Sequence, residues 1–404
     1  MKKILMLGGS TSQVCAIKKA KEMGYYVIIC DYLKDNPGQY VADEFYLVST
    51  TDKEKVLELA QTLNLDAVVC YASDPAAETA AYVCEHLGLP TNPYKSVRIL
   101  SNKHLFREYL RDNGFCVPQA MGFETVEETL ENVGGFKFPV MVKPVDSSGS
   151  KGVNKIAHPD ELPKAFADAM QYSRCKKVIV EEFIHKKGYQ ISGDGFTVNG
   201  KLVFCCLGNE YYSAAAGKDY VPLGECWPSV LDETLLSKIR GELQRLITSL
   251  GMRTGAYNIE VILDQEDNVY ILELGARNGG SLIPQIIQYA TGVDMVEYTI
   301  KAALGEDCSD LQMAPPKGYW SNYMVHSMKS GILQEIKIAD SLKDKFVEYQ
   351  TDYKTGDMVH AFEHAGQALG TMVFRFDSEE EMFEMIPKFT ELVEVVVKDE
   401  DRAV

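Results

Sequence analysis

The sequence has little that would take the chain into a membrane, out of the cell or onto nucleic acid. After Met1-Lys2-Lys3 only Ile4 to Leu7 are apolar before Gly8-Gly9, too short a run for a signal peptide or a membrane span. None of the ten cysteines forms a C-x-x-C pair. Without a secretory signal they read as reduced core thiols rather than a disulfide framework, so the expected location is cytoplasmic. Positive charge is scarce: 41 Lys and Arg against 58 Asp and Glu leave a formal charge of −17. That excludes the basic footprint of a nucleic-acid binder, and a phosphorylated ligand would need local cations to overcome the field. No internal repeat, low-complexity tract or biotinyl-lysine motif of the Met-Lys-Met type is present.

What is there suits a large soluble protein. At 404 residues, 46% apolar and 25% charged, two to three domains and a sizeable core are expected. The first 90 residues alternate apolar runs (4–7, 27–30, 67–71) with helical stretches (13–23, 54–63, 76–87), the pattern of βαβ units and a parallel sheet. Leu89-Pro90 and Asn92-Pro93 break it. Helices at 103–112 and 162–172, strands at 140–143 and 177–182, and the Asn199-Gly200 hairpin signal follow. Strands at 257–263 and 269–274 precede a helix at 283–289; beyond Pro315-Pro316 come strands at 331–338 and 369–376 and a helix at 379–385.

Gly8-Gly9-Ser10-Thr11-Ser12 lies between a strand and a helix, and Asp31 ends the second strand. The third glycine of G-x-G-x-x-G is missing, which disfavours nicotinamide; a small anion on the helix amides or a plain tight turn remain. A stronger signal is Glu260 and Glu273. Pairing Asp264 with Val269 across the turn continues as Ile262 with Ile271 and Glu260 with Glu273. Opposed carboxylates repel, and a divalent cation such as magnesium, completed by waters and phosphates, removes that cost. The alternative is a solvated hairpin face; Ile262 and Ile271, expected on the same side, favour the ion. Arg277, in the turn Gly275-Ala276-Arg277-Asn278-Gly279-Gly280, can clamp a carboxylate or phosphoryl group.

Phe138 to Pro144 ends a buried strand in Lys143, and Asp146-Ser147-Ser148-Gly149-Ser150-Lys151-Gly152 follows. This is not a Walker A loop, but its amides and hydroxyls suit phosphates. Val178 to Ile184 runs from an apolar strand into Glu181-Glu182-Phe183-Ile184, a slot and hinge suited to adenine.

In order, these pieces resemble the ATP-grasp superfamily over residues 1–310: Asn102-Lys103, Val142-Lys143-Pro144, Ser147 to Gly152, Glu181 to Ile184, Asn258-Ile259-Glu260, then Glu273 with Arg277. The resemblance implies a mixed α/β and α+β fold. It has a Rossmann-like parallel-sheet domain (1–100), an ATP-grasp domain (101–312, lid 114–185) and a small C-terminal α+β domain (313–404) packed on the core. It implies ATP with Mg2+ or Mn2+. Lys103, Lys143, Ser147, Ser148, Gly149, Ser150 and Gly152 would serve the phosphates, Glu181, Glu182, Phe183 and Ile184 adenine, and Glu260 and Glu273 the metal. Arg277 and Lys143 would be catalytic, Arg277 stabilising an acyl phosphate and a tetrahedral intermediate. Two departures stand out. Gly275 replaces the family's metal-binding asparagine, with Asn278 as a substitute, and Gly188-Tyr189-Gln190 replaces Gly-x-Glu, leaving Gln190 to bond the ribose.

Among branches of the superfamily, amino-acid ligases look closest, through Tyr211-Tyr212 and Tyr220 to Glu225. Further substrate candidates are Gly8, Gly9, Ser10, Asp74, Arg277, Gly279 and Gly280. The implied activity is ATP-dependent joining of a small-molecule carboxylate to an amine. No nucleic-acid or membrane partner is expected, and a homodimer is left open. The alternatives are a ligase of the phosphoribosylglycinamide-synthetase or carbamoyl-phosphate-synthase type and, more remotely, a nicotinamide-dependent oxidoreductase or a non-catalytic nucleotide-binding module. His360-Ala361-Phe362-Glu363-His364 matches the zinc pattern H-x-x-E-H but reads as strand and turn between Gly356 and Gly366. Asp399-Glu400-Asp401 reads as a solvated tail.

Overall fold

The computed structural model describes residues 1–212 and 220–398; the acidic tail from Asp399 lies outside them. Strands β1 (Lys3–Leu7), β2 (Tyr26–Asp31), β3 (Glu44–Leu47) and β4 (Ala67–Cys70) form a parallel sheet in the order β3-β2-β1-β4. Helices α1 (Thr11–Glu22), α2 (Lys53–Leu63) and α3 (Asp74–Leu87) complete the crossovers. β1 has no solvent face: Leu5 and Leu7 join one core cluster, Ile4 and Met6 another. Burial on both faces explains why this strand reads as a continuous apolar run.

Helices α4 (Tyr94–Ser101) and α5 (Lys103–Asp112) lead into an antiparallel sheet of β5 (Ala120–Phe123), β6 (Val140–Pro144), β7 (Asn154–Ile156) and β8 (Val178–Glu182), ordered β5-β8-β6-β7. Helices α6 (Val126–Asn132) and α7 (Leu162–Tyr172) accompany it, with Leu162, Ala165, Phe166 and Ala169 of α7 in the apolar cluster beneath the sheet.

The large sheet begins with β9 (Gln190–Val198), β10 (Lys201–Tyr212), β11 (Pro222–Trp227), β12 (Gly255–Leu263) and β13 (Val269–Gly275). Asn199 and Gly200, at φ 51° and 78°, form the expected two-residue turn and pair Val198 with Lys201. Helix α8 (Glu233–Ser249), unrecognised in the sequence, shares the core that takes Cys205 and Leu207 from one face of β10. Helices α9 (Ile283–Thr291) and α10 (Met295–Ala303) share the core that takes Phe204 and Cys206 from the other face. Farther along that second face β10 carries Glu210. The side-chain period of two thus turns one apolar stripe into an acidic floor.

Strand β14 (Tyr319–Val325) continues the large sheet. Strands β15 (Gly331–Ile338), β16 (Phe346–Gln350), β17 (Met358–Val359), β18 (Gly370–Phe376) and β19 (Val393–Lys398) follow it in the chain. The eight-stranded order is β13-β12-β9-β10-β11-β14-β18-β16, and β17-β15-β19 make a separate sheet. The C-terminal segment is therefore fused to the central sheet through β14, β18 and β16. His360 and His364 lie between the short strand Met358–Val359 and a 3-10 turn at Ala365–Gln367, so no helix presents them as a zinc pair. All ten cysteines are free thiols. Among the described residues no helix is long and apolar enough to cross a membrane.

Candidate active site

Asn102 caps α5, its Oδ1 accepting from the amides of His104 and Leu105 at 3.1 Å each. The capped first turn puts Lys103 and Arg107, four residues apart, on one helix face. Lys103 Nζ reaches Glu273 Oε2 at 3.1 Å and the Ser147 carbonyl at 3.2 Å. Arg107 donates from Nε to Glu181 Oε2 and from a terminal nitrogen to the Leu272 carbonyl, both at 2.9 Å. Lys143 ion-pairs with the other oxygen of Glu181. Burial pushes the Glu181 carboxyl up, but the two cations overcome this and hold it down to about 2. Glu181 therefore orients Lys143, and the amides of Glu182 and Phe183 are taken by the carbonyls of Gln119 and Pro139 at 2.9 and 3.1 Å.

Glu260 stands opposite Glu273 in the β12–β13 ladder, by a route other than the expected one. Val261 pairs with Ile271, Ile262 with Tyr270 and Leu263 with Val269, and a register shift between Glu260 and Val261 restores the acid pair. The bulge corrects the expectation that Ile262 and Ile271 share a face: Ile262 lines the cavity, while Ile271 joins the core under α8. Burial first, then Glu273 and Glu210, push the Glu260 carboxyl well up. Among the described residues no three His, Cys, Asp or Glu side chains gather to hold a metal unaided. An ion on Glu260 and Glu273 would thus draw its remaining ligands from phosphate and water, as magnesium does beside nucleotides.

Arg277 is 8% exposed, and its fork faces Asp74 at the start of α3: Nε to Oδ1 at 2.7 Å and a terminal nitrogen to Oδ2 at 2.6 Å. Its other terminal nitrogen donates to the Asn278 carbonyl at 2.9 Å. Gly275 makes room for this pair, since a Cβ there would sit 3.1 Å from Asp74 Oδ1. Asn278 points elsewhere; its Oδ1 accepts from Thr299 Oγ1 at 2.7 Å, so it does not replace the missing metal-site asparagine. The Gly279 amide is bonded to Asp194 at 2.9 Å, and a Cβ there would meet that carboxylate at 2.8 Å. Gly280 has open space around its Cα.

A cavity of about 260 Å³ gathers much of the expected set. Asp74, Lys103, Lys143, Ser147, Ser148, Gly149, Ser150, Glu181, Glu182, Phe183, Ile184, Gln190, Tyr212, Glu260, Glu273 and Arg277 all line it. Met141, Val153, Ile184, Ile262 and Leu272 supply an apolar wall. Gly152 packs against α7 instead, where a Cβ would meet the Tyr172 ring at 2.8 Å. Gln190 donates to Glu210 and, at 3.3 Å, to Glu260. Tyr211 is turned into the C-terminal core and donates to the Asn322 carbonyl.

The Gly8–Ser10 turn is not an anion site. Its amides are bonded to Cys30 O at 2.9 Å, Asp31 Oδ2 at 2.8 Å and Gln13 Oε1 at 2.9 Å. A Cβ on Gly9 would lie 2.0 Å from Asn36 Oδ1, so close packing explains the glycine. Sequence reading missed Arg107, and Glu210 as a cavity residue. The signal for Glu210 was its even position on the hairpin from Gln190, which the Asn199-Gly200 turn aligns with it.

Residues 102–311 match the family described as the carbamoyl-phosphate synthase L chain, ATP-binding domain. The chain is 27% identical over 318 residues to a formate-dependent phosphoribosylglycinamide formyltransferase of Prochlorococcus marinus, covering 75% of this chain and 77% of that protein. In structure it is similar to an L-amino acid ligase from Bacillus licheniformis (TM-score 0.85, 20% identity, 99% of both chains covered). It is also similar to a phosphoribosylglycinamide synthetase from Anaerococcus prevotii (TM-score 0.75, 22% identity, 98% of this chain and 100% of that one). With over half its length in that match, the chain belongs to the ATP-grasp family of the carbamoyl-phosphate synthase ATP-binding domain, an enzyme family of carbon–nitrogen bond-forming ligases.

Proposed function

We propose that the protein phosphorylates the carboxylate of a small molecule, an amino acid in the leading reading, and passes the acyl group to an amine, releasing ADP and phosphate. One observation carries this reading: Glu260 and Glu273, opposed in register, share a cavity with Lys103, Lys143 and Arg277. Glu181, Glu182, Phe183 and Ile184 would hold adenine in the apolar slot. Lys103 and Lys143 neutralise triphosphate charge, and the 147–152 loop covers it. Glu260 and Glu273 would hold magnesium, which would supply charge neutralisation at the transferring phosphoryl group.

A substrate carboxylate oxygen then attacks the γ-phosphorus, and its O–P bond forms as the bond to ADP breaks. Arg277, held by Asp74, presents its remaining N–H groups and its charge to the acyl phosphate. The amine attacks the acyl carbon, loses a proton, and phosphate leaves carrying the former carboxylate oxygen. Closure over the cavity keeps water from the acyl phosphate. In this reading residues 1–100, 101–312 and 313–404 are three domains, of which the first two line the cavity.

A second reading has support in a neighbouring cleft of about 470 Å³, lined by Lys53, Arg98 and Arg174 and reaching Asp74, Lys103 and Glu273. Cations there suit a phosphorylated amine, as in the formyltransferase relative. Pairwise screening of amino acids and small acids with amines, including formate with phosphoribosylglycinamide, tests both readings by ADP and phosphate release. Lys143→Ala and Glu273→Ala should abolish release. Absence of release with every pair would refute the ligase reading.

A further inference from the structure

We propose that Arg107 is a positioning residue for phosphoryl transfer: one buried guanidinium that ties the strands carrying Lys143 and its partner Glu181 to the strand carrying Glu273. The inference rests on the ligase reading above and deepens its account of the phosphate site.

Lys103 and Lys143 reach the cavity from two separately packed parts of the protein. Helix α5 shares an apolar core with β13, through Phe106, Leu110, Ile271 and Leu274. Strands β6 and β8 have their own, through Val140, Val142, Val178 and Val180. Lys103 and Glu273 thus belong to one packed unit, Lys143 and Glu181 to the other. Close packing fixes positions within each unit, and bonds that cross between them must set the rest. The Lys103 amide makes one such bond, to the Val145 carbonyl at 2.8 Å. It joins backbone to backbone and leaves the Lys143 side chain unset.

Arg107 makes the crossing between side chains. It lies one turn after Lys103 on α5 and is 4% exposed. Its Nε donates to Glu181 Oε2 in one unit, and a terminal nitrogen donates to the Leu272 carbonyl, next to Glu273, in the other, each at 2.9 Å. A rigid planar fork can hold two acceptors in fixed directions, which a single ammonium group does not. Arg107 does not line the cavity, so it acts on a nucleotide through its neighbours. Glu181, itself buried, gives its other oxygen to Lys143. With Oε2 held by Arg107, the carboxylate cannot turn, and Lys143 is presented to the cavity it lines. Charge acts in the same sense. Two cations and one carboxylate leave a net positive charge for phosphate; without Arg107, Glu181 cancels Lys143.

The test compares MgADP with adenosine, which keeps the base and ribose and has no phosphate. Calorimetric titration of the full-length protein gives the ratio of the two affinities. Lys143→Met should narrow that ratio roughly 10- to 100-fold, the range of a charge-assisted hydrogen bond. Arg107→Met should narrow it by at least about tenfold and leave adenosine affinity within about twofold. In the Lys143→Met background the same change should add less than about twofold, since it acts through Lys143. Arg107→Lys, which keeps the charge and loses the fork, should fall between wild type and Arg107→Met. An arginine with a merely structural role would weaken adenosine and MgADP alike, and that result overturns the proposal. Equal narrowing with and without Lys143 also overturns it. Should Arg107→Met fail to fold, a wild-type ratio in Arg107→Lys overturns it. A wild type that binds MgADP no more tightly than adenosine would sink the phosphate placement and the ligase reading with it. An unchanged ratio in Arg107→Met, beside a wild type that prefers MgADP, sinks the positioning role alone.

Discussion

Replacing Glu260 by Gln should stabilise the unliganded protein while it destroys nucleotide turnover, two effects of opposite sign from one oxygen-for-nitrogen change. The Glu260 and Glu273 Cβ atoms are ~5 Å apart in such a ladder. At an effective dielectric of ~20, two full charges at that spacing repel by about 3 kcal/mol. Lys103 on Glu273 offsets part of this, so a gain of roughly 1–2 kcal/mol is expected, or about 1–2 °C in melting temperature for a chain of this length. With the wild type, MgADP at a hundred times its dissociation constant should add about 2.7 kcal/mol. In Glu260→Gln that increment should largely vanish. Thermal melts of both proteins, with and without MgADP, read both quantities. A variant that melts lower without ligand, or keeps the full MgADP increment, would refute the picture of an acid pair strained for a cation.

Three further outcomes follow from the same geometry. Glu181→Gln leaves Arg107 and Lys143 buried without their shared partner and should cost about 3–5 kcal/mol in denaturant unfolding. In the wild type the Glu181 carboxyl lies at about 2, below its ordinary 4.5, so its stabilisation is complete above pH 4.5 and is lost as pH falls towards 2; the variant should lack this acid-limb loss. Glu210 and Glu225 are raised in the opposite sense, each to about 8 by burial foremost, so stability present below pH 4.5 should decline as pH rises through 8, and Glu225→Gln should flatten that decline in melts from pH 5 to 9. Gly275→Asn puts a Cβ 3.1 Å from Asp74 Oδ1; it should displace Asp74 from Arg277, cost about 1–3 kcal/mol, and fail to improve magnesium dependence in a turnover assay.

Much of this architecture was legible where local chemistry acts alone. The helix at Leu162–Tyr172 and the strand Gly331–Ile338 fall on their expected residues, because hydrophobic period and breakers agree there. The Asn199-Gly200 turn was readable because both positions need positive φ. Helix α8 was missed although its core residues Ile239, Leu243, Leu246 and Ile247 sit at helical spacing.

The Glu260–Glu273 pairing was reached through a register the chain does not use. A bulge is a tertiary decision, and counting back from a turn cannot see it. Asp74 was singled out as a substrate residue; that it fills the fork of Arg277 across 203 positions could not be read from spacing. Gly9 read as part of either a small-anion site or a plain tight turn, and its requirement is contact with Asn36, a residue 27 positions on whose approach only the fold reveals.

The most direct measurement follows oxygen. The protein would be incubated with ATP, magnesium, a pool of amines and a pool of amino acids labelled with 18O in the carboxyl group, and the released phosphate analysed by mass. Transfer of one 18O atom per phosphate is expected, since the carboxylate oxygen leaves with the phosphoryl group. Phosphate released without label would contradict carboxylate activation at Glu260, Glu273 and Arg277.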